Sequence, residues 1–285
     1  MPKVAIVTDS IACLTKEMVA QYGIGIVPIN FYSGDKVYKD LVDITPSEAY
    51  ELFLKDPESF KTSAGSPEDC LKAYREASQQ AENILCVTVS AKLSAVYSVA
   101  QGAKEQAKTE LPQTSIEVLD SQTATAAEGF ITLAAARAAA EGKSLAEVIR
   151  VAEEVRDKVG LVALMHTVRY IYRTGRIPRV AAWAGSKLNI KPIFTISSGV
   201  PHFMGAVRNK GSGIDRLLKI MRGKVGLNPV RVAVIHAYAL DEAERLKERV
   251  SSEFNCAELW ISEFSPVMGY ACGTGTLGLA FYSEG

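Results

Sequence analysis

The chain has 285 residues, and its 32 basic side chains balance its 32 acidic ones. A chain of this length is long enough for one large domain or two medium-sized ones, each with its own core. The balanced charge argues against a nucleic-acid or membrane-surface partner, because both normally require an excess of lysine and arginine.

The N-terminal residues enter a strand pattern at once, without the basic region, apolar region and cleavage site of a secretory signal. The longest apolar tract, residues 130–140, is interrupted by Arg137 and is too short to cross a bilayer. The five cysteines are far apart and never form a Cys-x-x-Cys pair, a pattern typical of reduced thiols. We therefore expect a cytoplasmic protein without disulfides or a zinc site.

Apolar runs alternate with helical patterns through the first half of the chain, as in α/β proteins. Strands are predicted at residues 3–8, 24–31, 83–89 and 114–119. Helices are predicted at residues 14–22, 94–108 and 123–141. Capping-box patterns, which mark helix starts, occur at residues 45–48, 66–69 and 144–147.

The pattern changes near residue 160. A strand at 161–165 is followed by a helix ending at Gly175 and then by a hairpin, with strands at 191–196 and 200–207 and a turn at 197–199. A tight hairpin implies antiparallel pairing. Further helices are predicted at 214–221 and 241–254, and further strands at 231–236, 257–263 and 277–282. The sequence thus predicts two α/β domains: residues 1–159 with a mainly parallel sheet, and residues 160–285 with a mixed or antiparallel sheet.

Several common catalytic motifs are missing. The three histidines (His166, His202 and His236) are dozens of residues apart and show no metal-ligand spacing. The chain has no G-x-S-x-G elbow, although residue order alone leaves a Ser–His–Asp triad open. Neither of the common phosphate-binding glycine motifs is present. We therefore predict no metal, no cofactor and no catalytic residue.

Hydroxyl side chains occur before two predicted helices. Thr62, Ser63 and Ser66 precede one helix, and Ser90 and Ser94 lie between a strand and another helix. Helix N-termini offer free N–H groups and attract carboxylates and phosphates. Helix capping explains any one of these hydroxyls, but two such loops favour a site for the head group of an anion.

Four further residues, in three parts of the chain, are candidates for ligand contact. Asp9 follows the first strand, where ligands of open α/β sheets bind, but it is equally suited to cap the next helix. Arg176 belongs to the one compact basic motif, residues 172–177, and is suited to a phosphate or an acidic partner surface, with a solvated helix end as the alternative. Gly273 and Gly275 form a tight turn that is either structural or close to a ligand.

Eight short segments, taken in order, resemble the DegV family over essentially the whole chain. They are VTDS (7–10), DLVDI (40–44), KTS (61–63), VSAKLS (89–94), LDS (119–121), TGRI (174–177), LNIKPI (188–193) and the glycine-rich stretch 269–278. The resemblance implies a long-chain fatty acid enclosed between two α/β domains. It also implies a role as the fatty-acid-binding subunit of a bacterial fatty acid kinase, which presents the acyl carboxylate to a separate kinase protein.

The resemblance also implies roles for particular residues. Thr62 and Ser94 match family positions whose hydroxyls hold the fatty acid carboxyl group, with Ser63 and Ser90 as close neighbours. Arg176 matches an arginine implicated in the kinase-facing step, and Gly273 lies in the family's C-terminal glycine motif. An apolar tunnel would supply most of the affinity, at about 0.8 kcal/mol per buried methylene.

The sequence departs from the family pattern at a few positions. Ala271 stands where the C-terminal motif has a histidine, Ala95 where the family often has glycine, and Thr174 where it has the first glycine of G-G-R. The missing histidine weakens the prediction of a kinase partner and leaves lipid binding intact.

Two other functions remain open from the sequence. One is an enzyme acting on a small carboxylated or phosphorylated metabolite in the interdomain cleft, with Asp9, Ser94 and Arg176 as working residues. The other is a divergent family member with a protein–protein role and an empty or collapsed tunnel. An apolar tunnel would favour the fatty acid carrier, and a short polar pocket would favour the enzyme.

Overall fold

The structure is a computed structural model that describes residues 3–167, 170–171, 174–176 and 190–284. In chain order its strands are β1 (Val4–Asp9), β2 (Gly25–Val27), β3 (Asn30–Ser33), β4 (Lys36–Lys39), β5 (Phe60–Ser63), β6 (Asn83–Thr88), β7 (Ser115–Asp120), β8 (Gly160–Leu164), β9 (Lys191–Ser197), β10 (Val200–Val207), β11 (Val230–His236), β12 (Cys256–Glu263) and β13 (Leu277–Ser283). The helices are α1 (Lys16–Tyr22), α2 (Pro46–Lys55), α3 (Pro67–Ser78), α4 (Val96–Glu110), α5 (Ala126–Ala140), α6 (Leu145–Lys158), α7 (Lys210–Val225), α8 (Leu240–Glu253) and α9 (Pro266–Cys272).

The strands form two large sheets and a small one. The first large sheet has the order β2-β1-β6-β7, and each neighbouring pair is parallel. The second has the order β10-β9-β8-β13-β11-β12, in which only β11 and β12 are parallel. The predicted α/β class, with a parallel N-terminal sheet and a mixed C-terminal sheet, is therefore confirmed.

Most predicted helix starts and the hairpin are confirmed. Thr45, Ser66 and Ser144 each begin a helix with a capping box. The hairpin of β9 and β10 is antiparallel, and its turn residues Ser198 and Gly199 have φ angles of 50° and 81°. Positive φ angles at both central residues are typical of the turns that join two-residue hairpins.

The prediction of a single strand at residues 24–31 is wrong, because the structure has two strands there. β2 ends at Val27 and pairs with β1, whereas β3 begins at Asn30 and pairs with β4 and β5 in the small sheet. Pro28 lies at the break, where its missing N–H group prevents a continuous ladder. The small antiparallel sheet, with the order β4-β3-β5, was not predicted.

Helix α5 lies between the two large sheets and is buried on nearly every side. Phe130 makes edge-to-face contacts with Trp260 and Tyr282 of the second sheet, at centroid distances of 5.6 and 5.2 Å. On the other side, the same core contains Leu85 and Val87 of the first sheet. The alanine-rich helix thus fills the space between the sheets, and the two halves share one hydrophobic core. The second sheet begins at Gly160, where the predicted domain boundary falls, but the division into two domains remains a prediction.

Within residues 3–167, 170–171, 174–176 and 190–284, we find no cluster of three or more histidine, cysteine or acidic side chains suited to a metal ion. Over the same residues, no helix combines the length and hydropathy needed to span a membrane. The five cysteines are all free thiols. Of the basic motif 172–177, residues 172, 173 and 177 lie outside the described residues, as do the first two residues of segment 188–193.

Candidate functional site

A cavity of about 340 Å³ lies between the two large sheets. Its size falls within the range of small-molecule sites, roughly 300–1,000 Å³. The wall is mostly apolar and both halves of the chain contribute to it. The N-terminal half supplies Ile11, Ile29, Val89 and Leu93, and the C-terminal half supplies Leu161, Met165, Phe194, Ile196, Phe264 and Met268.

Three of the predicted hydroxyl residues lie in the cavity wall. Thr62 and Ser63 are on β5, which pairs with β3 of the small sheet, and Ser94 lies just before α4. Ser94 Oγ accepts from the N–H of Val96 at 3.4 Å, and no described residue accepts its hydroxyl hydrogen, which can therefore be donated to a ligand. The wall thus combines hydroxyl donors with the positive end of a helix, a setting that suits a carboxylate.

Arg176 also lies in the cavity wall and is held next to Ser94. Its Nε donates to the carbonyl oxygen of Leu93 at 3.2 Å, and its Nη1 donates to the carbonyl oxygen of Thr174 at 2.8 Å. Both partners are neutral, and among the described residues no carboxylate pairs with this guanidinium. Its positive charge is therefore available to an anionic head group.

Ser90 and Gly273 do not line the cavity. Ser90 donates its hydroxyl hydrogen to the carbonyl oxygen of Gly199 at 2.8 Å, and Lys92 Nζ donates to the carbonyl oxygen of Ser198 at 2.9 Å. These bonds join the loop after β6 to the hairpin turn of the second sheet, so Ser90 connects the two halves. Gly273 has a φ of 79°, and a Cβ there would lie 2.5 Å from the ring of Tyr170. Close packing therefore explains this glycine in the structure, and a role in ligand binding for either residue stays a prediction.

Replacing Gly199 by alanine is expected to destabilise the contact between the halves. A Cβ at this position would lie 2.6 Å from Ser90 Oγ, so the turn would have to move and lose its two hydrogen bonds. Gly34→Ala is a matched control, because Gly34 also has a positive φ (61°) and nothing lies within 4 Å of its Cβ position. In urea unfolding, Gly199→Ala should cost about 1–2 kcal/mol more than Gly34→Ala. Equal losses of stability in the two variants would show that the hairpin turn at Ser198 and Gly199 does not depend on its hydrogen bond with Ser90.

Asp9 is buried and does not line the cavity. Its carboxylate accepts from the N–H groups of Ile11 at 2.9 Å and Val89 at 2.8 Å, and it caps the short 3₁₀ helix Ser10–Ala12. Burial raises its pKa to about 6, although the two N–H groups partly offset that increase. Of the two alternatives for this residue, the structure favours capping.

The histidines lie away from the cavity wall. His236 is buried at the end of β11, where its Nδ1 accepts from the N–H of Ala239 at 3.2 Å. Burial lowers its pKa to about 4, so the ring is neutral at physiological pH. Ala271, at the position of the family histidine, does line the cavity.

Helix α9 forms a large part of the wall, and sequence reasoning missed it. Ser265 is its N-cap and accepts from the N–H of Val267 at 3.3 Å, while its hydroxyl donates to Asp40 at 2.5 Å. Tyr50 donates to the carbonyl oxygen of Phe264 at 2.9 Å. These contacts anchor the start of α9 to the N-terminal half. The pair Ser265-Pro266, an N-cap followed by proline, was the available signal.

Comparisons with known proteins find relatives that match the whole chain. A family model described as "Uncharacterised protein, DegV family" matches residues 3–284. A DegV domain-containing protein of Clostridium perfringens is 30% identical over 283 residues, which cover 99% of each chain. Among solved structures, a fatty-acid-binding DegV family protein from Thermus thermophilus has a TM-score of 0.89 and 29% identity, covering 99% of this chain and 100% of that one. A stearic-acid-binding protein from Eubacterium ventriosum has a TM-score of 0.89 and 25% identity, covering 100% of this chain and 99% of that one.

Proposed function

Because the chain belongs to the DegV family, we propose that it binds a long-chain fatty acid in the cavity between its two large sheets. The observation that carries this proposal is the composition of the wall. Apolar side chains from both halves enclose the cavity, and its polar groups include the hydroxyls of Thr62 and Ser94 and the guanidinium of Arg176. An amphipathic acid with one anionic end and a long apolar chain matches this combination.

The apolar chain supplies most of the binding free energy. Ten buried methylene groups would contribute roughly 8 kcal/mol before the costs of association, at about 0.8 kcal/mol each. A hydrogen bond from a neutral hydroxyl contributes about 0.5–1.5 kcal/mol. The hydroxyls of Thr62, Ser63 and Ser94 therefore mainly orient the carboxylate, and the cavity wall holds the chain.

The head-group setting also affects the reactivity of a bound acid. A carboxylate whose direct hydrogen bonds come from neutral hydroxyls keeps its nucleophilic oxygen, whereas a bidentate salt bridge to Arg176 would hold it more firmly. In this proposal the charge of Arg176 attracts the head group from the edge of the cavity without forming that salt bridge. We therefore propose a cytoplasmic carrier without catalytic activity of its own, which presents the carboxylate to a separate kinase protein. Arg176, which is exposed at the edge of the cavity, would face that partner. Ala271 lines the cavity in place of the family histidine, so at that position the wall presents a methyl group and not an imidazole.

The structure favours this function over the two alternatives. The enzyme hypothesis requires Asp9 in the cleft, but its carboxylate is occupied by two backbone N–H groups and lies outside the wall. A cavity of about 340 Å³ argues against a collapsed tunnel. An empty tunnel is tested by the mass measurement on the purified chain.

Ser94→Ala is expected to weaken the binding of stearic acid by about threefold to tenfold, because it removes one hydrogen bond to the carboxylate. The measurement is native mass spectrometry of the purified chain, followed by lipid extraction and titration of the delipidated protein with stearic acid. Ser98→Ala, on the exposed side of α4, is the matched control and should bind like the natural chain. A natural chain that stays at its bare polypeptide mass after incubation with several fatty acids would refute the proposed function.

A further inference from the structure

The loop after β6 carries Ser94, a proposed contact of the carboxylate, and lies at the carboxyl edge of the first sheet. Strand β6 is flanked by β1 on one side and β7 on the other, and both pairs are parallel. The carboxyl ends of the three strands therefore meet at this edge. β1 ends at Asp9 and β7 ends at Asp120, so the loop lies between two aspartates.

Both aspartates accept hydrogen bonds from the backbone of this loop. The N–H of Val89 donates to Asp9 Oδ2 at 2.8 Å, and the N–H of Ala91 donates to Asp120 Oδ1 at 3.2 Å. Hydrogen bonds to a charged group contribute about 1.5–3 kcal/mol each, more than those between neutral groups. The loop is thus held from the neighbouring strand on each side.

Residues 90–94 of the loop form a single turn. The N–H groups of Leu93 and Ser94 both donate to the carbonyl oxygen of Ser90, at 2.9 and 3.1 Å. A displacement of the loop at either aspartate would therefore carry the Ser94 hydroxyl with it. A hydrogen bond to a ligand tolerates little displacement, because it requires a donor–acceptor distance of about 2.5–3.2 Å and a nearly straight angle.

Asp9 also holds the cavity wall from behind. Its Oδ1 accepts from the N–H of Ile11 at 2.9 Å, while its Oδ2 accepts from Val89. Ile11 and Val89 both line the cavity, whereas Asp9 itself does not. One buried carboxylate therefore joins the end of β1 to the start of the loop that carries Ser94.

Glu128 supports Asp9 from the core. It is fully buried, its Oε1 accepts from Thr8 at 3.3 Å, and no described residue donates to its Oε2. Burial and the neighbouring charge of Asp9 raise the pKa of Glu128 well above its usual value, so this carboxyl group is neutral at physiological pH. The neutral Glu128 donates a hydrogen bond to Asp9. Asp9 thus keeps both of its oxygens as acceptors for the two backbone N–H groups.

We infer that Asp9 is a positioning residue of the fatty acid site, which acts through the turn 90–94 and sets where the Ser94 hydroxyl meets the carboxylate, with Asp120 in the same role on the other side of the turn. This inference rests on the proposed function, because it assigns the residues that fix the geometry of that head-group site. Neither aspartate lines the cavity. A negative charge near an anionic head group opposes binding by itself, so the two aspartates assist binding only through the turn.

Asp9→Asn is the first test of this role. Asp9 uses a separate oxygen for each N–H group, whereas asparagine has one acceptor oxygen, so the variant must lose one of the two bonds. In a titration of the delipidated full chain, it should bind stearic acid about threefold to tenfold more weakly than the natural chain. Combined with Ser94→Ala, the same substitution should cost less than about twofold more, because the hydroxyl that it positions is already absent.

Stearyl alcohol distinguishes positioning from a general loosening of the wall. It has the same chain as stearic acid, but its neutral head group forms weaker hydrogen bonds than a carboxylate. Asp9→Asn should therefore weaken the binding of stearic acid more than that of stearyl alcohol. Equal losses for the two ligands would show that Asp9 has only a structural role and would contradict the inference.

Asp120 provides the decisive variant if Asp9→Asn does not fold, because Asp120 is only half-buried. Its N–H donors, Ala91 at 3.2 Å and Gln122 at 2.9 Å, reach the same oxygen, so asparagine can keep both bonds. Asp120→Ala should weaken the binding of stearic acid about twofold to tenfold. Asp120→Asn, the conservative variant that loses the same charge, should restore the natural affinity.

The inference is overturned if folded Asp9→Asn, or Asp120→Ala in its place, binds stearic acid like the natural chain. It is also overturned if the substitution costs as much in the Ser94→Ala variant as in the natural chain. In both cases the natural chain still binds stearic acid, so the proposed function stands. Failure of the natural chain to bind any fatty acid would remove the proposed function and this inference with it.

Discussion

Gly129→Ala is expected to lower the free energy of unfolding by about 2 kcal/mol, although alanine is the better helix former. Gly129 lies in α5, and a Cβ there would come within 2.6 Å of the carbonyl oxygen of Ala12 and 3.1 Å of the Leu14 side chain. Helix propensity favours alanine by about 1 kcal/mol, but overpacking a core costs about 1–3 kcal/mol. The first contact is with backbone, which cannot rotate away, so we expect the upper end of that cost.

Gly102→Ala provides the matched control. Gly102 lies in α4, and nothing lies within 4 Å of its Cβ position. This variant should be more stable than the natural chain by up to about 1 kcal/mol, from helix propensity alone. Urea unfolding of the two variants should therefore give changes of opposite sign. A stabilised Gly129→Ala variant would show that α5 does not pack closely against residues 12–14.

The free energy of unfolding is expected to depend strongly on pH because of Asp40. Asp40 is fully buried, and burial raises its pKa from 3.8 to about 6, although the hydroxyls of Ser265 and Ser10 partly offset the increase. The folded state therefore favours the protonated carboxyl more than the unfolded state does. The stabilising contribution of Asp40 to the free energy of unfolding is fully present below pH 4 and is lost as the pH rises through about 6. A shift of about two units corresponds to about 3 kcal/mol.

Asp40→Asn should remove this dependence. Between pH 4 and pH 7, the natural chain should lose up to about 3 kcal/mol of stability relative to the variant, as measured by urea unfolding at each pH. Comparing the two chains cancels the contribution of His236, whose pKa is lowered to about 4 by burial and whose contribution to stability therefore rises with pH. It does not fully cancel that of Asp9, because, besides burial, the charge of Asp40 also raises the pKa of Asp9. A constant difference between the two chains across this range would contradict the assigned role of Asp40.

Asp69→Asn is the control of opposite sign. Burial raises the pKa of Asp69, but Lys39 and Ser66 outweigh that effect and hold the pKa below its usual value. Its contribution is therefore present above the ordinary pKa and is lost as the pH falls through the folded value. The difference between the natural chain and Asp69→Asn should thus change only in the acid range, in the direction opposite to that of Asp40→Asn.

Part of the candidate site could be predicted from local patterns. Thr62, Ser63 and Ser94 were recognised as hydroxyls before helix starts, and together with Arg176 they lie in the cavity wall. Their role as ligand contacts stays a prediction. Ser90 followed from the same pattern but bonds to the hairpin turn, a residue more than a hundred positions away in sequence. No local pattern can indicate such a partner.

The sequence by itself determined the α/β class, the two kinds of sheet, the capping boxes and the hairpin turn. These features depend on the periodicity of apolar residues, on helix-capping residues and on residues that adopt positive φ angles, all of which act over a few residues. Only the tertiary structure decided which of the hydroxyls reach the cavity, that α9 forms part of its wall, and that α5 joins both sheets in one core. The reason is physical: burial and hydrogen-bond partners depend on contacts between segments far apart in the chain, and these form only when the sheets pack together.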